Sequence, residues 1–453
     1  MQRHLRFVGL VALLVVLMVE STAVYAQGGA PEQRIARSEF VCYDRREDAR
    51  AGNRATTEKY IEVAPELKFE ADAHSTDVVR RVYEQVLSIP ASWSDFNAYL
   101  HTENIGADYV VFLNGVQITE PIDCFTPSEI AISDYLIEGN NTLAIVTVEE
   151  PYMSLLDEGL EPIERPQFEN CYIFAQRRVA IYDYHVRLLP DSLQRFAQLH
   201  LDFIVENSFT TADDIEVGYD IYSPDGRLVE YSVNDCQLDA LGRDTVRLRP
   251  YIYHSNPNRW SAENPKLYDL MLYVKLSGIP REYIPLKVGF AEYGYNDEGQ
   301  ITLFGVPLEL RRTTYNAAVD ATTTERDIRR LKAQGFNTLM PEYPQPLWFY
   351  DICDRVGMYV IDCAAISSPS SADDRSLGGT PANAPELLEV YLHRVDAMYR
   401  RAQNHVCIIA FSLGNNPSGN GYNMYKAYEH LKAYGDERAI IYEGADGEWN
   451  TDL

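Results

Sequence analysis

Positive charge is scarce in this chain. Against 67 Asp and Glu stand 40 Lys and Arg, a formal net charge of −27 at pH 7, whereas a phosphate backbone is held by clustered Lys and Arg that release its counterions. Nucleic acid is excluded as a partner on that ground, and the acidity is read as serving solubility. Cysteine shows no pattern either: Cys42, Cys124, Cys171, Cys236, Cys353, Cys363 and Cys407 are scattered without a Cys-x-x-Cys pair, so zinc-ligand spacing is missing. The nine His form no His-Glu-x-x-His or other paired arrangement, and neither a metal nor another cofactor is expected. After the first residues there is no second apolar run of membrane-spanning length, and no Cys follows the leader to take a lipid.

What is there begins with a leader. In "MQRHLRFVGLVALLVVLMVESTAVYA" Arg3 and Arg6 precede an apolar run from Phe7 to Val19, Glu20 closes it, and small residues lead to Ala26. This order reads as a cleavable secretory signal over residues 1–26, with the mature chain exported to a periplasm or beyond. Export permits disulfides, yet several of the cysteines sit inside apolar runs, where a small buried thiol is the plainer reading. The 453 residues leave room for two to four domains with real cores.

Three regions follow. Residues 27–182 contain short alternating segments such as "DYVVFLNGVQI" and "SEIAISDYLIEGNNTLAIVTV", whose period of two and Asn-Gly turns predict a β-sandwich. Residues 183–287, with "LQRFAQLHLDFIVENS" and the Ser-Pro-Asp-Gly turn at Ser223 to Gly226, predict an immunoglobulin-like sandwich. From residue 288 the text alternates strands ("LELRRTT", "NTLM", "MYVIDCAA", "VCIIAFSLGNN", "AIIYEG") with amphipathic helices. The first helix, "TTTERDIRRLKAQGF", carries a Thr cap before Glu325. Such alternation calls for a parallel sheet curling toward a barrel. Five strands make it an incomplete TIM barrel, with two open edges and an uncovered apolar face.

Several phrases together resemble glycoside hydrolase family 2, the family of β-galactosidases and β-glucuronidases. "VVFLNGVQI" with "FTPSEIAISDYLIEGNNTLAI" is similar to its sugar-binding sandwich, and "RWSAENPKLYDLML" to the close of its immunoglobulin-like domain. "ERDIRRLKAQGFNTLM", "YPQPLWFYDICDRVGMYVID", "SLGNN" and "YKAYEHLKAYGDERAIIYEG" are similar to successive pieces of its barrel. The resemblance spans nearly the whole mature chain.

It also marks departures. The family phrase at the fourth strand is Gly-Asn-Glu, whose Glu is the general acid/base, and that position here is Asn416. A retaining glycosidase needs one carboxyl to protonate the leaving oxygen and a second, about 5 Å away, as nucleophile. The family's nucleophile is a Glu on the seventh strand, beyond the last strand of this chain. The Arg expected after the second strand is Met340, and "PEYP" holds no His. The Asp-Glu-Ala-Asn of the third strand is Asp362-Cys363-Ala364-Ala365, and the Asn-Arg-His of the first is Thr314-Tyr315-Asn316. Asn415, which the resemblance makes a contact to the sugar 2-hydroxyl, is retained.

These residues imply a secreted β-galactosidase-type homologue without hydrolase activity, left with a carbohydrate-binding or partner-binding role. Catalytic groups are not intact: Asn416 holds the acid/base position, and Glu342, Asp362 and Glu443 are weak substitutes whose plainer reading is helix capping or pairing with Lys. Substrate-binding candidates are Asn415, Trp348 and Trp449, although aromatic side chains on helices and strands are more often core. Two alternatives stay open: an active β-glycosidase with rearranged carboxylates or a partner chain, and an exported structural interaction module. A protein partner or a second copy is the candidate cover for the open barrel edges. Residues 367–386, "SSPSSADDRSLGGTPANAPE", read as a solvated loop or a lid.

Overall fold

The computed structural model describes residues 34–453 except 53, 55–58, 73–78, 149–150, 162–165, 191–195, 254–257, 319 and 416. The leader expected over residues 1–26 and Asn416 lie outside the described residues. The chain divides into two compact units: residues 58–154 and 161–176 with 34–35, and residues 36–57, 155–160 and 177–453.

The first unit is a β-sandwich of two five-stranded sheets. One runs in the order Arg34–Ile35, Ser128–Ala131, Phe96–Thr102, Tyr172–Arg177, Tyr60–Glu62; the other runs Glu66–Asp72, Val79–Ile89, Gly139–Thr147, Tyr109–Leu113, Val116–Gln117. Alternation places Leu100, Ile130 and Ile173 of the first against Val111, Leu143 and Ile145 of the second in a single core. The Asn114-Gly115 hairpin has φ of 53° and 81°, the double left-handed geometry that two-residue hairpins require and that Asn-Gly tolerates.

The second unit holds an immunoglobulin-like sandwich and a parallel sheet. The sandwich packs Val179–Pro190, Phe196–Asn207 and Gly242–Leu248 against Leu228–Leu238, Asp213–Tyr222, Leu267–Leu276 and Ile279–Gly289. Leu201, Phe203 and Val205 meet Val217, Ile221, Leu270 and Leu272 in its core.

The parallel sheet is the partial barrel. Its strands are β1 (Arg312–Thr314), β2 (Thr338–Met340), β3 (Tyr359–Cys363), β4 (Ile408–Ser412) and β5 (Ala439–Ile441), paired in that order. Between them lie the helices α1 (Ala321–Ala333), α2 (Leu347–Val356), α3 (Leu388–Ala402) and α4 (Tyr422–Lys432). The N-cap of α1 is Asp320, whose carboxylate accepts from Thr323 N, rather than the threonine expected from the sequence. Asp is at least as good a cap as Thr, and here it stands at the residue where the backbone leaves the extended region.

The expected uncovered apolar face is corrected by the structure. Every residue of β3, β4 and β5 is buried, and none of the described large apolar side chains that are exposed lies on the five strands. The outer edge of β5 is engaged as well: Ile440 N donates to Asp452 Oδ2 at 2.7 Å, Ile440 O accepts from Asp452 N at 2.8 Å, and Tyr442 N donates to Thr451 Oγ1 at 3.1 Å. In a parallel strand alternate residues present both backbone groups to one side, so these bonds satisfy the side of Ile440 turned away from β4. Among the described residues no helix is long and apolar enough to cross a membrane.

Candidate active site at the strand ends

Barrels carry their chemistry at the carboxyl ends of the strands, and here four strand ends are stitched together by amides. Asn316, after β1, donates from Nδ2 to Glu342 Oε2 at 2.8 Å and accepts from Glu342 N at 2.9 Å. Asn415, after β4, donates from Nδ2 to the Glu342 carbonyl at 2.7 Å, and its own N donates to Ile366 O at 2.8 Å. The Cys363 thiol at the end of β3 reaches Asn415 Oδ1 at 3.7 Å. The structure thus brings Glu342 and Asn415 together through the backbone of Glu342. Asn316 and Cys363 complete the group, although the sequence had marked them only as departures from the family pattern.

Asp362 goes the other way. Neighbouring residues on a strand face opposite sides, and Asp362 Oδ1 accepts from Tyr350 OH on α2 at 2.8 Å and from Cys363 N at 3.1 Å. It lies on the helix side of β3, fully buried, and its Oδ2 has no hydrogen-bond partner. Burial pushes its pKa up to about 7, against the opposing pull of the Tyr350 hydroxyl and Arg401. Asp362 therefore does not share the Asn415 side of the sheet.

Glu443 opens the short turn after β5 and is exposed. Cys363, buried beside these groups, has its thiol pushed up to about 12, first by desolvation and further by the negative charges of Asp362, Glu342 and Glu443. A thiol so held stays protonated and is a poor nucleophile. Cys171 is raised to about 12 in the same way by burial.

The aromatic candidates separate. Trp348 sits in the first turn of α2, half-buried against the barrel core. Trp449 is 57% exposed and stacks on Tyr425 of α4, with ring centroids 5.0 Å apart and planes 17° from parallel. The segment 367–386 is anchored at both ends. Ser368 Oγ donates to Leu155 O at 2.8 Å, and Asn423 Nδ2 donates to Pro381 O and Ala384 O at 2.9 and 2.8 Å. Residues 373–378 are its longest exposed stretch.

Asp351, Asp354 and His405 come within reach of a common ion at the opposite, amino-terminal end of β4. Asp354 is already engaged there, with Oδ2 2.8 Å from His405 Nδ1 and Oδ1 accepting from Cys407 N at 2.7 Å. Burial works against the charged imidazole, but Asp354 and Asp351 prevail and raise the His405 pKa. This arrangement holds the start of β4 in place. His405 stands 51 residues from Asp354 in the chain, beyond the reach of spacing arguments.

Comparison with known proteins identifies the scaffold. Residues 179–290 match the family profile described as glycosyl hydrolases family 2, and residues 303–452 match that family's TIM barrel domain. The chain belongs to glycoside hydrolase family 2. It is 28% identical over 379 residues to a β-galactosidase of Streptococcus thermophilus, covering 80% of this chain and 35% of that one. To a β-galactosidase of Enterobacter cloacae it is 30% identical over 355 residues, covering 76% and 34%. A family 2 member from Bacteroides cellulosilyticus superposes with a TM-score of 0.68 at 16% identity, covering 83% of this chain and 49% of that one. A β-glucuronidase of Bacteroides uniformis superposes with a TM-score of 0.67 at 17% identity, covering 80% and 46%. The chain spans about a third of the length of these curated relatives and about half that of the solved structures. At such identities the structures speak for the fold alone: sandwich, immunoglobulin-like sandwich and partial TIM barrel.

Proposed function

We propose that this family 2 chain is exported and binds carbohydrate at the strand ends without hydrolysing it. The observation that carries the reading is the fate of the carboxylates. Glu342 is tied in a reciprocal pair with Asn316, Asp362 is turned to the helix side of β3, and the acid/base position is an amide, Asn416. An amide neither protonates a leaving oxygen nor attacks an anomeric carbon, and loss of general acid help alone is worth on the order of 10²–10⁴ in rate. Asn415 and Asn316 remain as the polar groups a sugar hydroxyl meets there. A protein partner or second copy at the barrel edges belongs to the same reading, whereas a purely structural interaction module is a separate alternative that absence of glycan binding would favour. Export rests on the Arg-flanked apolar leader, and N-terminal sequencing of the exported chain is expected to begin at Gln27.

A second reading, an active β-glycosidase of β-galactosidase type, would draw its carboxylates from Glu342 and Glu443, which follow β2 and β5 at the carboxyl ends of the strands. Aryl β-galactosides and β-glucuronides decide between the two. The wild-type chain and Asn416→Glu are expected to show no turnover above buffer. Turnover by the wild type that disappears in Glu342→Gln or Glu443→Gln would establish a rearranged carboxylate pair and sink the non-hydrolytic reading.

A further inference from the structure

We propose that Trp449 is a saccharide-stacking platform at the rim of the strand-end site, an inference that rests on the carbohydrate-binding reading above. Of the four tryptophans, Trp260 is fully buried, Trp93 is buried, Trp348 is half-buried, and Trp449 alone is exposed. Exposing an indole forgoes the burial that large aromatic rings usually contribute, so its surroundings decide what it is for.

The ring is held in place from behind. One face stacks on Tyr425, and Tyr428 meets it edge-on with centroids 6.0 Å apart. The next residue, Asn450, is fully buried and forms a reciprocal amide pair with Asn420, at 2.9 and 3.3 Å. That pair fastens the Trp449 segment to the β4–α4 connection, which also carries Asn415. Glu448, on the other side of Trp449, is bound to Arg375 at 2.6 Å, which ties in the exposed tip of the β3–α3 connection. Three strand-end connections thus converge on one indole, and the face turned away from Tyr425 is presented with little freedom left to lose on binding.

The occupant follows from the chemistry around that face. A docking protein would be marked by a contiguous apolar patch of several hundred Å², whereas the residue next to Trp449, Glu448, is held in an ion pair with Arg375. A pyranose ring suits both parts: its C–H face lies on the indole, and its hydroxyls, donors and acceptors at once, meet the flanking guanidinium and carboxylate.

The test is titration of the full mature chain with lactose, cellobiose and xylobiose, followed by calorimetry and by tryptophan emission. Binding is expected to shift the emission to shorter wavelength, Trp449→Ala to weaken affinity at least tenfold, and Trp449→Phe to weaken it less. If a disaccharide binds and Trp449→Ala matches wild type, the platform is overturned while the carbohydrate reading stands. If no disaccharide binds the wild type, both are overturned. Far-ultraviolet circular dichroism and thermal midpoint of Trp449→Ala serve as the folding control, since its ring lies on the surface.

Discussion

Trp260→Ala is expected to remove about 3–5 kcal/mol of stability, the usual cost of truncating a fully buried Trp. Trp260 belongs to the segment that leaves the immunoglobulin-like sandwich, and its N donates to Phe290 O at 2.8 Å. Its ring, however, is part of the barrel core, edge-on to Tyr359 with centroids 5.7 Å apart, and its Nε1 donates to the Asp354 carbonyl at 2.8 Å. Truncation leaves a cavity and deprives that buried carbonyl of its donor. Against a typical total of 5–15 kcal/mol such a loss is severe. Urea unfolding should show a much lower midpoint at unchanged slope. A shift equivalent to less than about 1 kcal/mol would mean that the indole does not join the barrel core as described. Trp260→Phe, which keeps most of the packing, should retain more than half of the lost stability.

The second large effect is a pH dependence set by Asp362. Its folded pKa of about 7 lies above the ordinary 3.8, so between those values the folded chain keeps a proton that the unfolded chain has released. Stability therefore is greatest below the unfolded value, falls as pH rises through the window from about 4 to 7, and stays low above it. About three units at roughly 1.4 kcal/mol each amount to a loss on the order of 4 kcal/mol. His405, raised by Asp354 and Asp351, also loses its contribution as pH rises, so the informative quantity is the difference between wild type and Asp362→Asn. The amide keeps an acceptor for Tyr350 and Cys363 N but places an unpaired N–H group where Oδ2 has no partner. It is expected to be less stable than wild type at pH 5 and equal or more stable at pH 8. Parallel stability–pH curves for the two proteins would show that Asp362 does not titrate in this range.

These expectations separate what local pattern carries from what it does not. The five barrel strands were readable from apolar runs set between helical periods. The Asn-Gly hairpin was readable because only residues tolerant of positive φ suit it. The cap of α1 was misread by several residues, since Thr and Asp both cap and only the backbone shows where the helix begins. Asp362 and Cys363 were read as one altered motif. The strand sends them to opposite sides, one to a buried tyrosine on α2 and the other toward Asn415. That separation depends on which face of β3 is covered by helix. The Asn316–Glu342 pair joins two connections 26 residues apart, and its members carry no mutual spacing signal.

The sequence by itself determined the family, the order of the three folds and the amide at position 416, because periodicity, turn chemistry and residue identity are local properties. Only the tertiary structure decided that Asp362 is withdrawn from the strand-end face, that the edge of β5 is engaged by Thr451 and Asp452, and that Trp449 stands exposed on Tyr425. Each of these depends on which distant groups fold against a residue, and on the burial and hydrogen-bond partners that follow from it.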